Sequence, residues 1–188
     1  MLVRVCAVAA LLLFSLGACS VRFHTSSGTV SASSPLPAQT AWLGKACGLR
    51  LAALEEGRRL RAGIDPNAVP EEQRAQAARF FRAQGKVNED LGKALGGLTG
   101  PEPPGARAYR DLVVARVRDI AEDSTAAAAY LDGTVARTAE ELAAAKEEAN
   151  RLATRREAEH GRRSRELALP PEFTRAYEAV PECGRLSR

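Results

Sequence analysis

Residues 106–152, ARAYRDLVVARVRDIAEDSTAAAAYLDGTVARTAEELAAAKEEANRL, decide the fold. Tyr109, Val113, Val117, Ile120, Ser124, Ala127 and Leu131 recur every three or four positions, so on an α-helix they share one face. After the interruption Asp132-Gly133-Thr134 a similar stripe resumes through Thr138, Leu142, Ala145, Ala149 and Leu152, with Glu and Arg on the other face. The stretch is either one long helix running on toward Pro170 or two helices folded back at Gly133. A lone glycine costs only about 1 kcal/mol in a helix interior, so the local pattern permits both.

The flanks carry the same period. Thr40 is placed to cap a helix through Trp42, Leu43, Cys47, Leu51 and Leu54, which Gly63 and Pro66 end. Pro70-Glu71-Glu72 suits a second start, because proline fits the first turn and acids sit well at the positive end of the helix dipole. Phe81, Gln84, Asn88, Leu91, Leu95 and Leu98 then form a stripe, broken by Gly96, Gly97, Gly100, Pro101, Pro103 and Pro104. Pro170-Pro171 stops the fourth pattern, and a short last helix from Glu172 to Val180 leads to Pro181 and Cys183. No sustained alternation of β-branched residues competes, and Ala, Leu, Glu and Arg favour helix. The expected fold class is all-α.

The amino terminus differs in kind. One positive charge, Arg4, precedes an apolar run from Val5 to Leu16. As a helix this run covers only about 18 Å, whereas a bilayer-crossing helix needs roughly 20 apolar residues. It therefore reads as an export signal. Leu16-Gly17-Ala18-Cys19 follows, an aliphatic residue, two small residues and a cysteine, and this resembles the lipobox of bacterial lipoproteins. The resemblance implies a diacylglyceryl group on the Cys19 thiol and cleavage by signal peptidase II between Ala18 and Cys19. Small residues let the backbone enter a protease cleft, and a thiol is the nucleophile that thioether formation needs. Ser20 to Gln39, rich in Ser, Thr, Gly and Pro and without helical period, reads as a flexible tether with an r.m.s. reach of roughly 25 Å. The expected organisation is a signal peptide over 1–18, a lipidated tether over 19–39 and a helical domain over 40–188.

Of the four cysteines, Cys6 leaves with the signal and Cys19 takes the lipid, so Cys47 and Cys183 remain. In an oxidising exported compartment two remaining cysteines suggest one disulfide, the alternative being two separate buried thiols. A bridge requires Cα atoms about 4.4–6.8 Å apart. Four helices of about 25–32 residues running up and down return the end of the fourth to the start of the first, and so bring Cys183 toward Cys47. A straight long third helix would end far beyond the bundle. The pair thus favours an up-and-down four-helix bundle with a short C-terminal helix over a three-helix antiparallel coil.

The chain holds 27 Lys plus Arg against 23 Asp plus Glu, with both signs mixed along the helices. That mild excess, together with export, argues against a nucleic-acid partner. The two histidines are His24 in the tether and His160 late in the fourth pattern. Glu157 and His160 form a Glu-x-x-His step of the kind used in di-metal carboxylate bundles, but a second step is missing, so a solvated charged face is expected and no metal. Cys47 has no histidine arrangement that would make it a nucleophile. Gly96-Gly97 and Gly161 lack the strand and the Gly-Lys-Ser/Thr of a phosphate loop and read as helix breakers. Arg155, Arg156, Arg162, Arg163 and Arg165, interleaved with Glu157, Glu159 and Glu166, read as a solvated helix end, with anionic lipid or wall polymer as the alternative contact. Trp42, Phe80, Phe81, Tyr109, Tyr130, Phe173 and Tyr177 are expected in the core.

With no catalytic grouping and no cofactor motif, the expected function is that of a non-enzymatic exported lipoprotein. Lipid on Cys19 would hold it on the extracytoplasmic face of the cell membrane, where its helices serve as a structural or interaction module toward an envelope protein. The alternative is a carrier or sensor that holds a small apolar ligand between helices.

Overall fold

A computed structural model describes residues 37–186. They form seven helices: α1 (Pro37–Ala62), α2 (Pro70–Gly96), α3 (Ala106–Gly133), α4 (Ala139–Thr154), α5 (Glu157–Glu166), α6 (Pro171–Glu178) and α7 (Pro181–Leu186), with no strand among the described residues. The fold is all-α.

Local chemistry sets the ends. α1 starts at Pro37, three residues before the expected cap, and the Thr40 hydroxyl instead donates to the Pro37 carbonyl at 2.9 Å from within the first turn. α2 opens on Pro70 with Glu71 and Glu72 in its first turn, as the dipole favours. α3 begins after Gly105, whose φ of 84° is left-handed and where a Cβ would fall 2.6 Å from Pro170 Cδ. Only glycine fits that turn. α4 opens with a capping box: Thr138 accepts from the Glu141 N–H, and the Glu141 carboxylate accepts from the Thr138 N–H. Thr138 is therefore an exposed cap and not the core residue its place in the stripe suggested.

The chain reverses after Gly133, which makes 106–167 a hairpin. The first three helices, of 26, 27 and 28 residues, run up and down as expected. The fourth is shorter than expected, because a break at Arg155-Arg156 divides it into α4 of 16 residues and α5 of 10. Gly161, expected to break a helix, lies inside α5. α4 flanks α3 and α2 at one end of the bundle, while α6 and α7 pack on α1 at the other. α2 and α3 make the most extensive contact in the fold. Ala78, Gly85 and Gly92 stand seven residues apart on α2 and let the two backbones close in: a Cβ on Gly85 would lie 3.2 Å from the Ala121 carbonyl oxygen.

Two apolar clusters result. The first joins Trp42, Leu43 and Cys47 of α1 to Leu91 and Leu95 of α2, Tyr109, Val113 and Val117 of α3, and Phe173, Tyr177, Val180 and Leu186 near the C-terminus. The second joins Phe80 and Phe81 of α2 to Ala127 and Leu131 of α3 and Ala145 and Ala149 of α4. Each large side chain fully buried contributes about 1.5–3 kcal/mol. Tyr109, Phe173 and Tyr177 pack together in tilted and edge-on arrangements with ring centroids 5.1–6.1 Å apart. Tyr130 departs from the expectation for the aromatics and stays at the surface, 36% exposed.

Candidate functional site

Between the two clusters lies a cavity of about 180 Å³. α1 contributes Arg50, Ala53, Leu54 and Arg61, positions that fall on one face of a helix. α2 adds Phe81, Gln84, Asn88 and Leu91; α3 adds Val113, Arg116, Val117, Ile120, Asp123 and Ser124. The junction of α4 with α5 closes one side with Ala153, Thr154, Glu157 and His160. Most of the wall is apolar, and the polar groups sit where the helical stripes turn from hydrocarbon to amide, carboxylate and guanidinium.

Asp123 anchors the polar side. It is only 2% exposed, and a buried carboxylate needs a partner. Arg155 Nε donates to it at 2.7 Å, and Arg156 donates through Nε at 3.0 Å and Nη2 at 2.6 Å. Arg156 also reaches the Asp119 carboxylate and carbonyl, each at 2.8 Å, and Glu122 at 3.1 Å. These acids, Asp123 foremost, hold the Arg156 guanidinium above its ordinary pKa. The fork coincides with the helix break: Arg155 and Arg156, the two residues between α4 and α5, converge on this one residue of α3. Arg156 therefore turns inward, contrary to the expected solvated end, while Arg155 stays exposed, as expected, and still reaches Asp123. Arg162 and Arg163 remain at the surface as expected, paired with Glu166 and Glu159.

His160 corrects a second expectation. It is 4% exposed, and with half-buried Glu157 it lines the cavity, so the Glu-x-x-His step is not a solvated face. Its Nε2 lies 3.5 Å from Asp119 Oδ2 and makes no hydrogen bond. Burial, then the charge of Arg116, push the imidazole below its ordinary pKa, which leaves it neutral at pH 7. Among the described residues no group of three or more His, Cys, Asp or Glu side chains is placed to hold a metal.

Gln84 is, after His160, the second cavity-lining side chain with an unsatisfied buried atom. It is 8% exposed, and its Oε1 accepts no hydrogen bond. It lies against Gly57 of α1, where a Cβ would stand 2.8 Å from Oε1, so the glycine makes room for the amide. One turn on, Asn88 Nδ2 donates to the Gln84 carbonyl at 2.8 Å. Arg50 donates to the Tyr109 hydroxyl, and burial pushes the Tyr109 pKa up, so the phenol stays protonated. The chemistry on offer is recognition by a neutral imidazole, two amides and guanidinium groups on an apolar wall.

Cys47 and Cys183 come together as expected, buried in the seam of α1 and α7 with sulfurs 2.00 Å and Cα atoms 5.1 Å apart. Leu16, Gly17, Ala18, Cys19 and His24 lie outside the described residues. Sequence reasoning singled out none of the cavity's polar set except Glu157 and His160. The available signal was in the stripes themselves, where Gln84 and Asn88 occupy core positions of α2 that leucine would otherwise fill. Compared with known proteins, the chain matches no family model, no curated protein and no solved structure.

Proposed function

We propose that this protein is a non-enzymatic lipoprotein module of the bacterial cell envelope, exported, lipidated on Cys19 and facing the extracytoplasmic side, where its helices meet an envelope protein. The observation that carries this reading is the Cys47–Cys183 pair at bonding distance. Such a bond persists in an oxidising compartment, whereas cytosolic thiols are kept reduced. Among the described residues no helix is long and apolar enough to cross a membrane. On this reading attachment falls to the acyl chains, each buried CH₂ contributing about 0.8 kcal/mol.

The test compares membrane fractions of cells making the native chain or Cys19→Ala. The native protein is expected in the membrane fraction, resistant to high salt, with an intact mass that shows lipid on an amino-terminal Cys19. The variant is expected to keep its unprocessed mass and carry no lipid. A native chain of unlipidated mass, or cut elsewhere than before Cys19, would end the lipoprotein reading.

A second reading concerns how the module works, and the cavity favours it: a carrier or sensor that holds a small ligand between α1, α2, α3 and α5. Ligand sites between bundle helices combine apolar walls with a few convergent polar groups, and this cavity has that composition.

A further inference from the structure

We propose that the cavity between the two apolar clusters takes a compact uncharged molecule, a single hydrocarbon ring with a short substituent. The inference rests on the carrier reading above and adds the size and charge of the ligand.

The space sets the size. An apolar cavity of about 150 Å³ holds benzene, and this one is about 180 Å³. That leaves room for a ring and a small group on it but not for a second ring. The wall sets the chemistry: Leu54 of α1, Leu91 of α2, and Val113 and Ile120 of α3 face the space with hydrocarbon. Leu54, Leu112 and Ile120 line it and are only half-buried, so each keeps apolar surface that the protein itself does not cover. A ring laid against them takes part of that surface out of water, and such burial is favourable without any directed bond.

The charged groups of the lining argue against an ion, because they are engaged within the protein. Asp123 is held by Arg155 and Arg156. Arg50 donates to the Tyr109 hydroxyl, and Arg61 and Arg116 are not free either. His160 is neutral at pH 7, and Glu157 is half-buried and keeps contact with solvent. An ion entering the cavity would give up its hydration without gaining a free, buried opposite charge, and an unpaired charge in apolar surroundings is costly. An uncharged ring gives up nothing comparable.

The experiment adds toluene, benzoate, benzylamine and the two-ring indole in turn, at neutral pH, to the full chain in lipid nanodiscs. Methyl NMR of Ile, Leu and Val follows binding, and protein-free nanodiscs correct for uptake by the lipid. Toluene is expected to saturate one site and to shift the methyl signals of Leu54, Val113 and Ile120. Benzoate and benzylamine should bind more weakly by about tenfold or more, the cost of burying a charge unpaired. Indole should be weaker by about the same factor, because its second ring overfills the space. Ile120→Trp, its fold checked by circular dichroism, should abolish toluene binding by occupying the cavity; should that variant not fold, the shifts in the native chain alone decide the site. If either ion binds as tightly as toluene, the uncharged class is overturned while the carrier reading stands, and the same result from indole overturns the size. If none of the four binds saturably, the inference and the carrier reading both fall. Toluene that shifts only methyls away from the cavity, or that binds Ile120→Trp as tightly as the native chain, occupies another site, and the assignment to this cavity is wrong.

Discussion

The imidazole of His160 sits among Arg116, Arg156 and Arg163, with Asp119 opposite, and burial and those cations outweigh the acid. In the unfolded chain a histidine takes its proton near about pH 6.5; in the folded protein it does so at lower pH. Between the two values the unfolded state binds the extra proton, so stability falls as pH drops through about 6.5 toward the folded pKa and levels off below it. Glu56, Glu71, Glu89, Glu141 and Glu148, whose pKa values are depressed by their partners, act in the opposite window, losing their contribution only as pH falls below about 4.5. A urea-unfolding series from pH 7.5 to 5 therefore isolates the histidine. The native protein is expected to lose stability across this range and His160→Gln to give a flatter profile. Equal slopes for the two proteins would assign the acid sensitivity to other groups.

At the scale of the helix, two glycines of similar local setting are expected to answer alanine with opposite sign. Gly48 is inside α1, and a Cβ there meets nothing within 4 Å. Gly48→Ala should stabilise by about 1 kcal/mol, the helix-propensity difference. Gly85 is inside α2, and its Cβ would press on the Ala121 carbonyl oxygen at 3.2 Å, a backbone atom of α3 that cannot step aside alone. Gly85→Ala should destabilise by about 1–3 kcal/mol despite the same propensity gain. Thermal unfolding of the two variants decides it, and a stabilised Gly85→Ala would mean that α2 and α3 are not in close backbone contact. The contrast also marks what a sequence can carry at this scale. The stripes of α2 and α3 were legible because their apolar spacing is a local property of each helix. The break at Arg155-Arg156 was not, since it depends on which of several arginines turns toward Asp123 on α3, and no helical period encodes that choice. The capping box at Thr138 and Glu141 was legible in principle, but the same threonine also fitted the core stripe, and the stripe took it.

For the molecule as a whole, the up-and-down path was legible through one long-range constraint, the need to bring Cys183 back to Cys47. The cavity was not, because it is the space left where four helices meet. Its polar lining includes Asp123, a residue beside the stripe whose burial follows from the arginine fork. The disulfide then poses a question of mechanism. It joins residues 136 apart and so encloses nearly all of the described chain. If it acts by restricting the unfolded state, chain-entropy estimates for a loop this long give about 5 kcal/mol, a large share of the roughly 5–15 kcal/mol typical of a domain. If it merely pins α6 and α7 to α1, its loss would let those short helices peel away while the bundle stayed folded. Packing argues for the first: Phe173, Tyr177, Val180 and Leu186 are buried in the same cluster as Trp42, Tyr109 and Leu95, so α6 and α7 share their core with α1, α2 and α3. A Cys47→Ser, Cys183→Ser double variant is therefore expected to unfold in a single step at lower urea concentration. Fluorescence of Trp42, the one tryptophan, reports on the α1–α6–α7 end, and far-ultraviolet circular dichroism reports on all helices. The two transitions should coincide, as a cooperative domain requires. A tryptophan transition well ahead of the helical one would show that the bond's work is local, and that the C-terminal helices are clasped to the bundle rather than part of its core.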